Sequence, residues 1–98
     1  MNERLRPQPA RQNYLDDIWD YTERNWGTEQ AKAYIRLIGA AIQTVATSPA
    51  RGKACDHIRE GYRKYPAGSH IVFFRLTDRG INVVRILHRR MDFDRHLG

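Results

Sequence analysis

Cysteine is nearly absent from this chain: Cys55 is the only one in 98 residues. A lone cysteine cannot close an internal disulfide, which fits a reducing compartment. Long apolar runs are missing as well. Nothing approaches the roughly 18 residues that a membrane span requires, so no membrane contact is expected. The start, Met1-Asn2-Glu3-Arg4-Leu5-Arg6, has no apolar stretch behind its charges, and no secretory signal is expected there. These absences point to a cytoplasmic protein. There are no repeats and no low-complexity tracts, so a single domain over residues 1–98 is expected. No histidine, cysteine or acid stands at metal-ligand spacing, which implies no metal and no other cofactor.

Charge is plentiful but unevenly placed. The chain has 17 Lys/Arg against 11 Asp/Glu, a formal net charge of +6. Residues 1–58 hold eight basic and seven acidic residues, whereas residues 59–98 hold nine and four, so +5 of the +6 sits in the last two-fifths. Asymmetry of this kind points to an anionic partner, nucleic acid or an acidic protein segment. A merely soluble basic surface is the plainer reading of the same numbers.

The periodicity implies an α+β protein. Pro7 and Pro9 confine any first strand to an edge, at about Arg4 to Gln8, because proline lacks the ladder donor. Tyr14, Leu15, Ile18, Trp19, Thr22 and Trp26 recur at spacings of three and four, predicting a helix over 10–26 that Gly27 stops. Thr28 is expected to cap a second helix, whose stripe of Ala31, Tyr34, Ile35, Ile38, Ala41, Ile42 and Val45 runs to about Thr47. So short a link predicts an antiparallel helical hairpin. Residues 49–57 are expected to be a loop. Strands follow at His57–Arg63, Ser69–Thr77 and Ile81–His88, the last two joined by a tight turn at Asp78-Arg79-Gly80. The expected order is β-α-α-β-β-β, with the helical hairpin packed on one face of a small antiparallel sheet. Strict alternation groups Ile81, Val83, Arg85 and Leu87 on one side and Asn82, Val84, Ile86 and His88 on the other. With helices on one face only, some apolar sheet surface would remain for a partner.

Arg59, Arg63, Lys64, Arg75, Arg85, Arg89 and Arg90 could form a phosphate-binding surface or a solvated rim. His88 beside Arg85 or Arg89 could do acid–base chemistry on a phosphodiester, or be an ordinary histidine at a strand end. His57 and His70 are isolated, and His96 lies in the tail. Asp16, Asp17, Asp20 and Glu23 read as a solvated helix face. Trp19, Trp26 and Tyr34 could be interface anchors or core.

Several segments, taken together, resemble a ParE toxin of the RelE/ParE superfamily from type II toxin–antitoxin modules. They are Leu15-Asp16-Asp17-Ile18-Trp19-Asp20-Tyr21-Thr22 with Trp26-Gly27, Gln30-Ala31 with Tyr34, and Ile58-Arg59 with Gly61-Tyr62-Arg63. They continue through Gly68-Ser69-His70 with Phe73-Phe74-Arg75, and Val84-Arg85-Ile86-Leu87-His88 with Met91-Asp92. The resemblance covers roughly residues 4–97. It implies a ParD-like antitoxin with a ribbon-helix-helix DNA-binding part and an acidic segment that folds onto the toxin. Sequence-specific DNA binding would then be the antitoxin's and not this chain's. It also implies poisoning of DNA gyrase by trapping its cleaved-DNA intermediate, without catalysis by the toxin itself. Joined to the charge concentration, it places a gyrase-inhibition surface on residues 59–65 and 85–98, with Arg59, Arg63, Arg85, His88, Arg89, Arg90 and Met91. The expected antitoxin contacts are Trp19, Tyr34, Ile38 and Phe74. The RelE branch of the fold cuts mRNA on the ribosome, often with a tyrosine or histidine near the C-terminus. The last tyrosine here is Tyr65, so Arg63, Arg85 and His88 are what a ribonuclease alternative would use.

Overall fold

Gly27 divides the helical part of the chain. Its φ of 94° lies where a residue with a Cβ is disfavoured. Its N–H donates to the Glu23 carbonyl at 2.9 Å, ending one helix, and its carbonyl accepts from the Ala31 N–H at 3.1 Å, opening the next. The structure, a computed structural model, describes residues 14–90. Within them α1 spans Tyr14–Trp26 and α2 spans Thr28–Thr47. The link is thus one residue, and Gly27 rather than Thr28 precedes α2. The Thr28 hydroxyl turns back instead and donates to Glu23 Oε2 at 2.9 Å, while Glu23 Oε1 accepts the Trp19 indole N–H at 3.2 Å. The expected strand at Arg4–Gln8 and the first residues of the expected first helix, 10–13, lie outside the described residues.

In α1 the buried positions are Ile18 and Thr22, and the Thr22 hydroxyl is satisfied by donating to the Ile18 carbonyl at 2.7 Å. In α2 Ala31, Ile38, Ala41 and Val45 are buried, the narrow centre of the expected stripe. The chain divides into two compact units, one reaching to Ile35 and the other beginning at Arg36, so the division falls inside α2.

After a 3-10 turn at Pro49–Arg51 come β1 (Lys53–Ala54), β2 (Tyr62–Ala67), β3 (His70–Thr77) and β4 (Gly80–His88). They pair antiparallel in consecutive order. Two helices followed by a four-stranded antiparallel sheet give the expected α+β class. The expected strand at His57–Arg63 is displaced. Asp56 Oδ1 accepts the Gly61 N–H at 2.7 Å, and Ile58 N–H reaches the Cys55 carbonyl at 3.0 Å, winding this segment into turns. Pairing begins only at Tyr62 and runs through Pro66. Proline is tolerated there because β1 covers only Arg63 and Lys64, and no described strand pairs with β2 on that side at Pro66. The β2–β3 hairpin closes at Ala67↔His70 with a two-residue loop, and Gly68 takes the φ of 64° that such a loop requires.

The β3–β4 hairpin carries a register shift between Phe73 and Phe74. Phe74 faces Val83 while Phe73 faces Arg85, so Val84 is the extra residue. This corrects the expected alternation. Val83 shares a face with Ile86 and His88, and Arg85 shares the opposite face with Leu87 and Asn82. That second face is not an open apolar surface either. Cys55, Tyr62, Phe73 and Leu87 form a buried cluster on it, with Ile58, Ile71 and Val84 packed against them. The turn after Cys55 supplies this cover, where the sequence predicts a strand at His57–Arg63.

Phe74, on the other face, is also completely buried. A Cβ added at Gly52 would sit 2.7 Å from Phe74 Cε1 and closer still to Cζ. Gly52→Ala should therefore force the ring to shift and lower the unfolding free energy by about 1–3 kcal/mol. Urea denaturation measures this, and wild-type stability in the variant would show that the Phe74 site has room to spare.

Candidate functional site

The residues expected to act do not gather on one patch. Antiparallel partners share a face, so the register assigns each one. Arg63 pairs with Phe74 and His88 with His70, which places them on one face but four β3 residues apart, roughly 13 Å. Arg85 pairs with Phe73 and belongs to the other face, where it is half-buried. Arg59 is exposed in the turn that covers that second face. Met91 lies outside the described residues. Arg63, Arg85 and His88, the ribonuclease trio, are therefore split between two faces.

Arg63 is also tied down, its guanidinium donating to the Gly52 carbonyl at 3.0 Å. This bond braces the segment before β1 against β2, a structural task for one of the expected cations. Arg89 and Arg90, in contrast, are held by their backbones and leave their side chains exposed. Arg89 N–H donates to the Ser69 carbonyl at 3.0 Å. Arg90 N–H donates to His88 Nδ1 at 3.2 Å, which fixes that nitrogen as an acceptor and puts any single ring proton on Nε2.

His70 is not isolated, as the sequence suggested. Its ring meets His88 edge-on, with centroids 5.3 Å apart at 77°. The bulge creates this contact: a hairpin closed at Thr77↔Gly80 without an extra residue would set Leu87 opposite His70. Burial pushes the His70 imidazole below its usual range, and the positive charge that His88 can carry pushes it the same way. Both effects disfavour protonation in the folded state. At Cys55 burial raises the thiol, Lys64 opposes the rise and Asp56 adds to it, and the sulfur is completely buried in the core.

Of the expected antitoxin contacts, Ile38 and Phe74 are completely buried and present no surface. Trp19 and Tyr34 are half-buried. Tyr21 and Trp26 are more accessible, at 58% and 63% exposure, and meet each other edge-on at 5.9 Å. Lys53 is a cation outside the expected surface. It sits in a two-residue strand too short to leave a periodic signal, and the register sets it opposite Lys64. Among the described residues no three histidines, cysteines or acids come together to hold a metal, and no helix is long and apolar enough to cross a membrane.

Comparison with known proteins is consistent over nearly the whole length. The family described as "ParE toxin of type II toxin-antitoxin system, parDE" matches residues 5–93. Toxin ParE1 of Mycobacterium tuberculosis (strain ATCC 25618 / H37Rv) is 51% identical over 98 residues, covering 99% of this chain and 100% of that protein. Toxin ParE1 of Caulobacter vibrioides is 44% identical over 84 residues, 86% of each chain. Among solved structures, a chain of the chromosomal ParDE TA system from P. aeruginosa superposes with a TM-score of 0.69 at 20% identity. It covers 79% of this chain and 85% of that one, and it shows the shared fold.

The histidine pair has a measurable consequence. A histidine whose folded pKa is lowered stabilises the protein fully above the unfolded value, roughly 6.5, and loses that contribution as pH falls through it. The thermal midpoint should therefore drop between about pH 7.5 and pH 5.5, and His70→Gln should flatten that part of the profile. An equally steep drop in the variant would assign the pH dependence to other groups.

Proposed function

We propose a function from one premise: this chain belongs to the ParE toxin family of type II toxin–antitoxin systems. In that role it inhibits DNA gyrase by stabilising the cleaved-DNA complex, and a ParD-like antitoxin neutralises it. It acts in the cytoplasm as one toxin domain, by binding and not by catalysis.

The observation that carries the reading is the exposed pair Arg89 and Arg90 just beyond β4. Their backbones are anchored to Ser69 and His88, so the two cations are presented from a fixed turn rather than from a loose loop. A rigid base reduces the ordering cost when a protein partner docks. They also lie in the part of the chain that holds most of the net positive charge, where an acidic antitoxin segment would compete for the same cations. The apolar part of the antitoxin contact falls to Trp19 and Tyr34, which keep accessible surface, and not to Ile38 or Phe74. The ribonuclease alternative draws no support from Arg63, Arg85 and His88. General acid–base cleavage needs its groups within reach of one phosphodiester, and these three stand on two faces.

The double reversal Arg89→Glu/Arg90→Glu tests the assignment. Expressed without antitoxin, the variant should lose growth inhibition while its circular dichroism spectrum and thermal midpoint stay those of the wild type. A folded double variant that arrests growth as strongly as the wild type would move the inhibitory surface elsewhere.

A further inference from the structure

The sheet face that carries Phe73 has a charge arrangement that folding does not explain. The register sets Lys53 of β1 directly opposite Lys64 of β2. Opposed positions of an antiparallel pair hold their Cβ atoms roughly 4.5–5.5 Å apart, and like charges there are destabilising. Arg75 lies on the same face, paired with Tyr62. Among the described residues no acid comes within ion-pair distance of Lys53, Lys64 or Arg75. Three uncompensated cations thus share one side of the sheet, two of them in repulsive register.

Among the described residues the same face has little apolar surface to dock against, since Ile58, Ile71 and Val84 are packed against its buried cluster. Tyr62, Phe73 and Leu87 are buried in the Cys55 cluster. Among the described residues the large apolar side chains that remain exposed are Leu15, Tyr21, Trp26 and Leu37 on the helices and Leu76, which lies with Phe74 on the opposite face. A peptide that folds onto a protein needs apolar burial to offset its ordering. Single-stranded nucleic acid is held by exposed aromatics on which its bases stack. A duplex backbone needs only cations that meet its phosphates.

We propose that this face, through Lys53, Lys64 and Arg75, binds the phosphate backbone of duplex DNA irrespective of sequence. The inference goes beyond gyrase inhibition, since the chain itself touches DNA, and it stands or falls without gyrase present. Lysine suits the task, being a mobile point charge that follows a phosphate without demanding one geometry. The repulsion between Lys53 and Lys64 is relieved when phosphates lie between them.

Fluorescence anisotropy of the purified full chain with a labelled random-sequence duplex, over a salt series, tests this. Lys53→Glu/Lys64→Glu/Arg75→Glu should weaken binding about tenfold or more near 100 mM salt and reduce the log–log salt slope by about 2–3. The charge-matched control Arg24→Glu/Lys32→Glu/Arg36→Glu, confined to exposed helix positions, should change affinity by less than about threefold. Lys53→Glu alone should weaken DNA binding while raising the thermal midpoint, because it replaces a repulsion with an attraction. That combination separates lost binding from lost fold. Lys53→Gln/Lys64→Gln gives the same readout if the triple reversal disturbs the structure. Absence of binding by the wild type, equal loss in both triple variants, or displacement of the duplex more readily by single-stranded DNA or polyglutamate would each overturn the proposal.

Discussion

Two adjacent phenylalanines set the terms for the sheet. Phe73 and Phe74 follow one another on β3 and are both completely buried. Consecutive strand residues point to opposite faces, so neither face can be left to water. On the Phe73 side the cover comes from Leu87 and from the turn that begins at Cys55. On the Phe74 side Gly52 brings its backbone so close that a methyl group has no room. Each large buried ring is worth roughly 1.5–3 kcal/mol, a sizeable share of the 5–15 kcal/mol that holds a domain together.

The bulge at the same point on the hairpin governs where charge ends up. Its extra residue, Val84, turns inward with Phe73 and Leu87 and shifts everything beyond it by one position. Arg85 thereby moves to the face of Phe73, and His88 comes to lie against His70. The cations are spread over the sheet: Lys53 on the short β1, Lys64 beside it on β2, Arg75 toward one end of β3, and Arg89 and Arg90 past the end of β4. A basic small protein with a two-sided core thus carries several separate cationic patches. The proposed DNA contact on the Phe73 face is thereby separate from Arg89 and Arg90, the pair proposed for gyrase inhibition and for antitoxin competition.

Much of this was legible from the residues. The stripes of the two helices follow spacings of three and four, Gly27 announces the break between them, and β-branched and aromatic runs around Asp78-Arg79 mark the hairpin. The charge concentration after residue 58 was visible by counting. The face of each side chain was not, because alternation is reliable only until a bulge interrupts it, and nothing in Val83-Val84-Arg85 announces one. The two-residue β1 has no periodicity to detect, so the pattern does not single out Lys53, and β2 begins later than its residues predict. The burial of Ile38 and Phe74 is hidden for a related reason: an apolar side chain looks the same in sequence whether it faces a core or a partner.

The central claim is that a small binding surface, without chemistry of its own, arrests gyrase with its DNA cut. The direct measurement is incubation of the purified chain with gyrase, supercoiled plasmid and ATP, followed by denaturation of the enzyme and electrophoresis of the DNA. Linear plasmid that accumulates with the chain and disappears when a ParD-like antitoxin is added is the predicted result. A folded chain that stops growth yet leaves the plasmid free of double-strand breaks would contradict the account.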